Sequence, residues 1–225
     1  MLTSRTTGFE PVDEPIRAEL FSLERLEQHA RSLAETQKLS QKQGRLRLIS
    51  KRLSENGEVL LASYRELAKA IREEALLTPA AEWLVDNFHL VERQLREIRD
   101  NLPPSYYHEL PKVEGGHLTG YPRIYEIAWA FVAHLDSRFD AEGLRRFVAA
   151  YQEVKPLTIG ELWALPITLR LLLIENLRRM AEPIVQARRL RREADKIADG
   201  LLGIGDGRKA EARQALDRYT SRELP

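Results

Sequence analysis

Apolar residues recur at steps of three and four along almost the whole chain, and strand-like alternation never persists beyond a few positions. That period commits the backbone to amphipathic helices, which can bury a stripe only against one another. The sequence therefore predicts an all-α fold, an irregular multi-helix bundle of about eight or nine helices. The first stripe runs Ile16, Leu20, Leu23, Ala30 and Leu33 behind Pro15, a residue suited to a first helical position. A second runs Leu39, Leu46, Ile49 and Leu53, and a third Leu60, Tyr64, Leu67 and Ile71, with Gly57 near its start. A fourth opens at Thr78-Pro79, follows Leu84, Phe88, Val91, Leu95, Ile98 and Leu102, and stops at Pro103-Pro104.

Beyond a long loop at 103–121, "YPRIYEIAWAFVAHL" is apolar nearly all round and reads as a buried helix. Asp140 caps the next helix, with Leu144, Phe147, Val148 and Tyr151 facing inward. Thr158 and Glu161 in "LTIGEL" form a capping box, and Pro166 is expected to interrupt or kink the helix that follows. "ITLRLLLIENL" has the composition of a central core helix. Arg170 within it has Pro166 and Ile174 as i±4 neighbours, so a buried ion pair would need a partner from another helix. The C-terminal arm keeps a narrow seam of Ala187, Leu190, Ala194, Ile197 and Leu201, then breaks at "GIGDG" before a short charged helix. Four regions follow: a disordered tail over 1–14, an amphipathic helical subdomain over 15–76, a helical core over 77–182, and a charged helical arm over 183–225.

Composition narrows the functional classes. Lys and Arg total 35 against 34 Asp and Glu, so net charge is +1 and no overall field favours nucleic acid or anionic lipid. The absence of cysteine removes disulfide and thiolate chemistry. No apolar run is long enough to span a bilayer, and the N-terminus has no secretory h-region, so the isolated chain is expected to be soluble.

Few constellations carry chemistry. Glu82, Asp86 and His89 share one helix face, but a di-metal bundle needs a second Asp-x-x-His or Glu-x-x-His copy, and none is present. The face reads as solvated. "GIGDG" follows a charged helix instead of a buried strand, which argues against a phosphate loop. "ARRLRRE" alternates with Glu182, Glu193 and Asp195 as an ordinary charged face. Trp83, Trp129 and Trp163 sit in helical segments, where core packing is expected. The densest group of donors and acceptors lies in "LPPSYYHELPKVEGGHLTGYPRIY": Tyr106, Tyr107, His108, Glu109, Tyr121 and Arg123 are the candidate contact residues.

Two long stretches carry a family resemblance. "PAAEWLVDNFHLVERQLREIRDNLPPSYYHELPKVEGGHLTGYPRIYEIAWAFVAHLD" and "FVAAYQEVKPLTIGELWALPITLRLLLIENLRRMAE" closely resemble the N-terminal region of the cyclic β-1,2-glucan synthases. "PIRAELFSLERLEQHARSLAETQ" resembles the start of those proteins, so the likeness runs from about Pro15 to about Leu202. The resemblance implies a very large inner-membrane enzyme that polymerises glucose from UDP-glucose, with a divalent metal, and then cyclises the glucan. It places this chain on the cytoplasmic side, before a downstream transferase domain, with membrane contact only through the whole enzyme.

Neither the Asp-x-Asp nor the Gln-x-x-Arg-Trp motif of such transferases occurs here. No catalytic, cofactor-binding or metal-binding residue is therefore assigned to this chain. The expectation is a scaffold or docking region, as a fragment or a truncated reading frame. The alternatives are a glucan-binding module that uses the aromatic loop over 105–125, and a stand-alone helical adaptor.

Overall fold

The computed structural model describes residues 14–40, 49–73, 76–101, 104–135 and 139–202. The chain divides into two compact units, Met1–Ala181 and Glu182–Pro225. Among the described residues the fold is helical, with eight α-helices and two short strands. No described helix is long and apolar enough to cross a membrane.

α1 (Leu23–Thr36) starts at Ser22, whose side chain accepts from the Arg25 amide, and buries Leu26, Ala30 and Ala34 at four-residue steps. Those small residues let it pack closely on α7 (Ala141–Val154). Asp140 caps α7 by accepting from the Glu142 and Gly143 amides. The contact is flanked by the pairs Arg31–Glu153 at 2.7 Å and Arg146–Glu27 at 2.5 Å. The expected helix start at Pro15 is not found: residues 14–21 are not helical and bend at Ile16, which is buried, whereas Leu20 is exposed. The tail over 1–13 lies outside the described residues.

Ile49 and Leu53 of the second stripe and the whole of the third belong to a single helix, α2 (Ile49–Arg72), which passes straight through Gly57, while Leu46 lies outside the described residues. A mid-helix glycine costs about 1 kcal/mol, little beside a buried stripe of Ile49, Leu53, Leu60, Leu67 and Ala70. Leu39 is not in that helix; it forms β1 (Leu39–Ser40), paired antiparallel with β2 (Lys112–Val113).

The fourth helix is two helices, α3 (Pro79–Asp86) and α4 (Phe88–Asn101). The break falls at Asn87, with φ −105° and ψ 9°; its N–H still makes the helical bond to the Trp83 carbonyl at 3.0 Å, and its side-chain Nδ2 competes for the same oxygen at 2.9 Å. Periodicity is blind to such a local competitor.

The segment expected as a long loop has structure of its own. It contains α5 (Pro104–Glu109), β2, and a turn in which Gly115, Gly116 and Gly120 take positive φ. It leads into α6 (Arg123–Ala133), which is buried along nearly its whole length. The last helix, α8 (Ile159–Leu202), continues through both Pro166 and Pro183, so the expected interruption does not occur. A mid-helix proline costs about 3 kcal/mol. Around Pro166 the helix buries Ala164, Leu165, Leu169, Leu171 and Leu172, and each large apolar side chain returns about 1.5–3 kcal/mol. Within the second unit, Val185 and Gly200 are buried while Leu190 and Leu201 of the seam are exposed. "GIGDG" and the trailing segment lie outside the described residues.

The glycines give a direct test of this backbone. At Gly57 an added Cβ would meet only the flexible end of Leu95, at 3.3 Å. Gly57→Ala is expected to be neutral or to stabilise by up to about 1 kcal/mol. Gly116, with φ of +71°, has open space around it but a left-handed backbone. Gly116→Ala is expected to cost about 1 kcal/mol, and urea denaturation of the two variants reads the contrast.

Candidate functional site

The 104–123 segment is fastened to α8 by its aromatic side chains. The Tyr106 hydroxyl donates to the Gly160 carbonyl. Tyr107 and Thr168 meet at 2.5 Å, and the Thr168 hydroxyl donates to the Ala164 carbonyl at 2.8 Å, so Tyr107 is the donor in the pair. Burial pushes the Tyr107 phenol up to about 12, so it remains a donor throughout the physiological range.

Lys112, almost fully buried, directs its ammonium at the carbonyls of Tyr107, His108 and Leu110, at 2.5, 3.2 and 2.6 Å. Three carbonyl dipoles replace water around it, and burial lowers its pKa from the usual lysine value. Its position closes the C-terminal end of α5, whose last carbonyls have no helical donor.

Arg123 and Glu161 are the chemical centre of this region, with side chains only 4% and 0% exposed. Arg123 Nε donates to Glu161 Oε1 at 2.6 Å, Nη2 donates to Oε2, and Nη2 also reaches the Pro156 carbonyl at 3.2 Å. The same carboxylate completes the capping box of α8, accepting from the Thr158 amide at 2.9 Å, while Thr158 Oγ1 accepts from the Glu161 amide at 3.2 Å. Burial alone would lower the Arg123 pKa; hydrogen bonding and charge from Glu161 outweigh it and hold it above its ordinary value.

A second buried carboxylate, Glu175 of α8, receives Arg52 Nε at 2.6 Å and Nη2, Arg179 Nη2 at 2.6 Å, and the Tyr125 hydroxyl at 3.0 Å. Burial opposes its ionisation, but Arg52 and then Arg179 prevail, so its pKa lies below the usual carboxylate value. Arg179 also lies over the Trp129 ring, 5.2 Å from its centroid, and His117 meets the same indole edge-on.

The candidate contact residues are thus divided. Tyr107, Tyr121 and Arg123 are buried, Tyr121 stacked on Tyr125 with centroids 4.6 Å apart. His108 and Glu109 are exposed and Tyr106 is half-buried. Arg170 is not the buried cation expected: its side chain is 46% exposed and pairs with Glu97 of α4 at 3.2 Å. Among the described residues the buried arginines are Arg123 and Arg179.

Glu82, Asp86 and His89 are all exposed, and no group of metal-binding side chains occurs among the described residues. Two tryptophans depart from the expected core role, Trp83 at 50% and Trp163 at 78% exposure. Trp163 continues a stripe on the solvent side of α8 that includes Ile159, at 76%, and the exposed Pro166. Glu175 was missed as a partner; a lone carboxylate inside "ITLRLLLIENL" was its one sequence signal.

Removing half of the Arg123–Glu161 pair leaves an uncompensated buried charge. Arg123→Met is expected to cost about 3–5 kcal/mol by chemical denaturation. The double variant Arg123→Met/Glu161→Leu is expected to recover part of that loss, limited by the capping bonds that Glu161 also makes.

No protein-family profile matches the chain. Over 152 residues it is 43% identical to NdvB of Rhizobium meliloti (strain 1021), a cyclic beta-(1,2)-glucan synthase; the match covers 68% of this chain and 5% of that protein. The resemblance to the cyclic β-1,2-glucan synthases carried by the long stretches quoted above is thus borne out. The chain is a relative of the cyclic β-(1,2)-glucan synthases, spanning about one-twentieth of the length of the curated protein it matches.

Proposed function

We propose that this chain is a helical docking region of a cyclic β-(1,2)-glucan synthase, and that the outer face at the start of α8 receives another part of that enzyme. The observation carrying this reading is the exposure of Ile159 and Trp163 on one helix face. Large apolar side chains exposed together, on a rigid support, are the usual form of an interaction surface. The support is rigid because the capping box, the Arg123–Glu161 pair and the Tyr106–Gly160 bond all fix the first turns of α8 from behind. In this reading UDP-glucose, its divalent metal and the polymerising chemistry belong to a separate transferase domain at the inner membrane, and this chain orients that domain.

A glucan-contacting role has less to draw on, since Tyr107, Tyr121 and Arg123 are occupied internally. Trp163 is the exposed aromatic at this face left to meet a sugar ring.

Trp163→Ser gives the test. Binding of the full chain to the rest of such a synthase, expressed as a separate polypeptide, is expected to weaken at least tenfold, about the effect of a central interface tryptophan. The thermal midpoint should stay within about 2 °C, because the side chain makes no core contact that would be lost. Unchanged affinity overturns the docking reading. Saturable quenching of tryptophan fluorescence by β-1,2-glucan, lost in Trp163→Ser, would instead favour the glucan contact.

A further inference from the structure

The non-helical segment 14–21 is tied to the bundle at four backbone positions. The Ile16 amide donates to Asn176 Oδ1 at 2.7 Å, Arg179 Nη1 donates to the Glu14 carbonyl at 2.7 Å, the Ala18 amide to the Ala133 carbonyl at 2.7 Å, and the Phe21 amide to the His134 carbonyl at 3.4 Å. At its end the Phe21 ring stacks on the His134 imidazole, with centroids 3.8 Å apart and planes 10° from parallel. His29 of α1 meets both rings edge-on, 5.6 Å from Phe21 and 4.8 Å from His134, and lies against Phe147 of α7. We propose that His29, packed against the stacked Phe21 and His134 rings, is a proton-operated latch that holds residues 14–21 in place at neutral pH and releases them under mild acid.

His134 Nδ1 lies 2.6 Å from the Glu19 carbonyl, which can only accept, so Nδ1 is the donor in that bond and fixes the ring against the segment. Among the described residues neither imidazole is hydrogen-bonded to a carboxylate.

The surrounding acids are engaged elsewhere. Glu19 of the segment is held by Arg25 at 2.7 Å, Glu27 by Arg146 of α7 at 2.5 Å, and Glu142 by Arg145 at 2.5 Å. Glu24 on α1 is fully exposed. Arg25 itself lies over Phe21, 4.7 Å from its centroid. An added charge on His29 meets a second imidazole in ring contact, at a half-buried position with no carboxylate hydrogen-bonded to it among the described residues.

Burial, then the charge of His134, lowers the His29 pKa from its ordinary 6.5. The released state binds that proton more readily than the latched one. The latch is accordingly complete above the ordinary imidazole range and weakens as pH falls through 6.5 towards the lowered value.

Amide hydrogen exchange on the full chain, at about pH 7.5 and about pH 5.5 and corrected for intrinsic rates, tests the latch. Protection at Ala18 and Phe21 is expected to fall about tenfold at the lower pH, while the core amides of Phe147 and Val148 keep theirs. His29→Gln is expected to hold Ala18 and Phe21 equally at both pH values. The proposal is overturned by unchanged protection of those two amides in the wild type, by parallel loss in α7, which means global acid unfolding, or by an undiminished pH effect in His29→Gln. The wild-type comparison decides the matter even if the variant does not fold.

Discussion

One carboxylate, Glu161, organises the part of the molecule that faces solvent with apolar side chains. It neutralises a guanidinium almost wholly removed from water and simultaneously caps the helix on which it sits. An isolated buried charge would be prohibitively costly. Arg123 and Glu161 are therefore mutually obligatory, and each fixes the chain it comes from. Arg123 begins α6 and ends the Pro/Gly/Tyr segment, whereas Glu161 begins α8. The junction of those three pieces is set by electrostatics at short range, and the apolar contacts around it fill in a geometry already decided.

Glu175 plays a corresponding part further along α8, drawing in α2 through Arg52 and α6 through Tyr125. Arg179 extends the cluster to the N-terminal segment through the Glu14 carbonyl, and Asn176 holds the adjacent Ile16 amide. A smaller polar knot gathers on Gln37, which bonds Tyr151, Glu126 and Lys155. These polar centres tie the bundle together at positions where ridge-and-groove packing alone would permit several registers. Buried polar groups are well suited to selecting one arrangement among near-equals, since any other leaves them unsatisfied.

The helical class was legible because the three-and-four period is written over most of the chain, and the capping box at Thr158 and Glu161 appears in the structure as read. Boundaries were less legible where a local side-chain bond or a tertiary contact overrode the period. One helix divides at Asn87, whose side chain competes for the Trp83 carbonyl, whereas the helices through Gly57 and Pro166 are continuous, with their flanking apolar residues buried. The charge partners were the least legible part. Arg123 looked like a loop residue available for contact and is a core residue, while Arg170, surrounded in sequence by leucines, lies at the surface beside Glu97. Sequence neighbours report the helix face, but the pairing of Arg123 with Glu161, 38 residues away, is a property of the fold.

The uninterrupted passage of α8 through Pro166 has a further implication for what could recognise its outer face. A proline has no amide proton, so the Leu162 carbonyl one turn earlier lacks the donor that every neighbouring carbonyl in the helix has. That acceptor sits beside the exposed indole of Trp163, whose own N–H is a donor. The surface therefore offers a partner a defined polar register, an acceptor and a donor from adjacent residues, set within an apolar stripe. A ligand that covered the stripe with hydrocarbon alone would leave that carbonyl dry and unmatched, so the proline selects against indiscriminate greasy contact while keeping the face open to a partner that brings its own hydrogen-bonding groups.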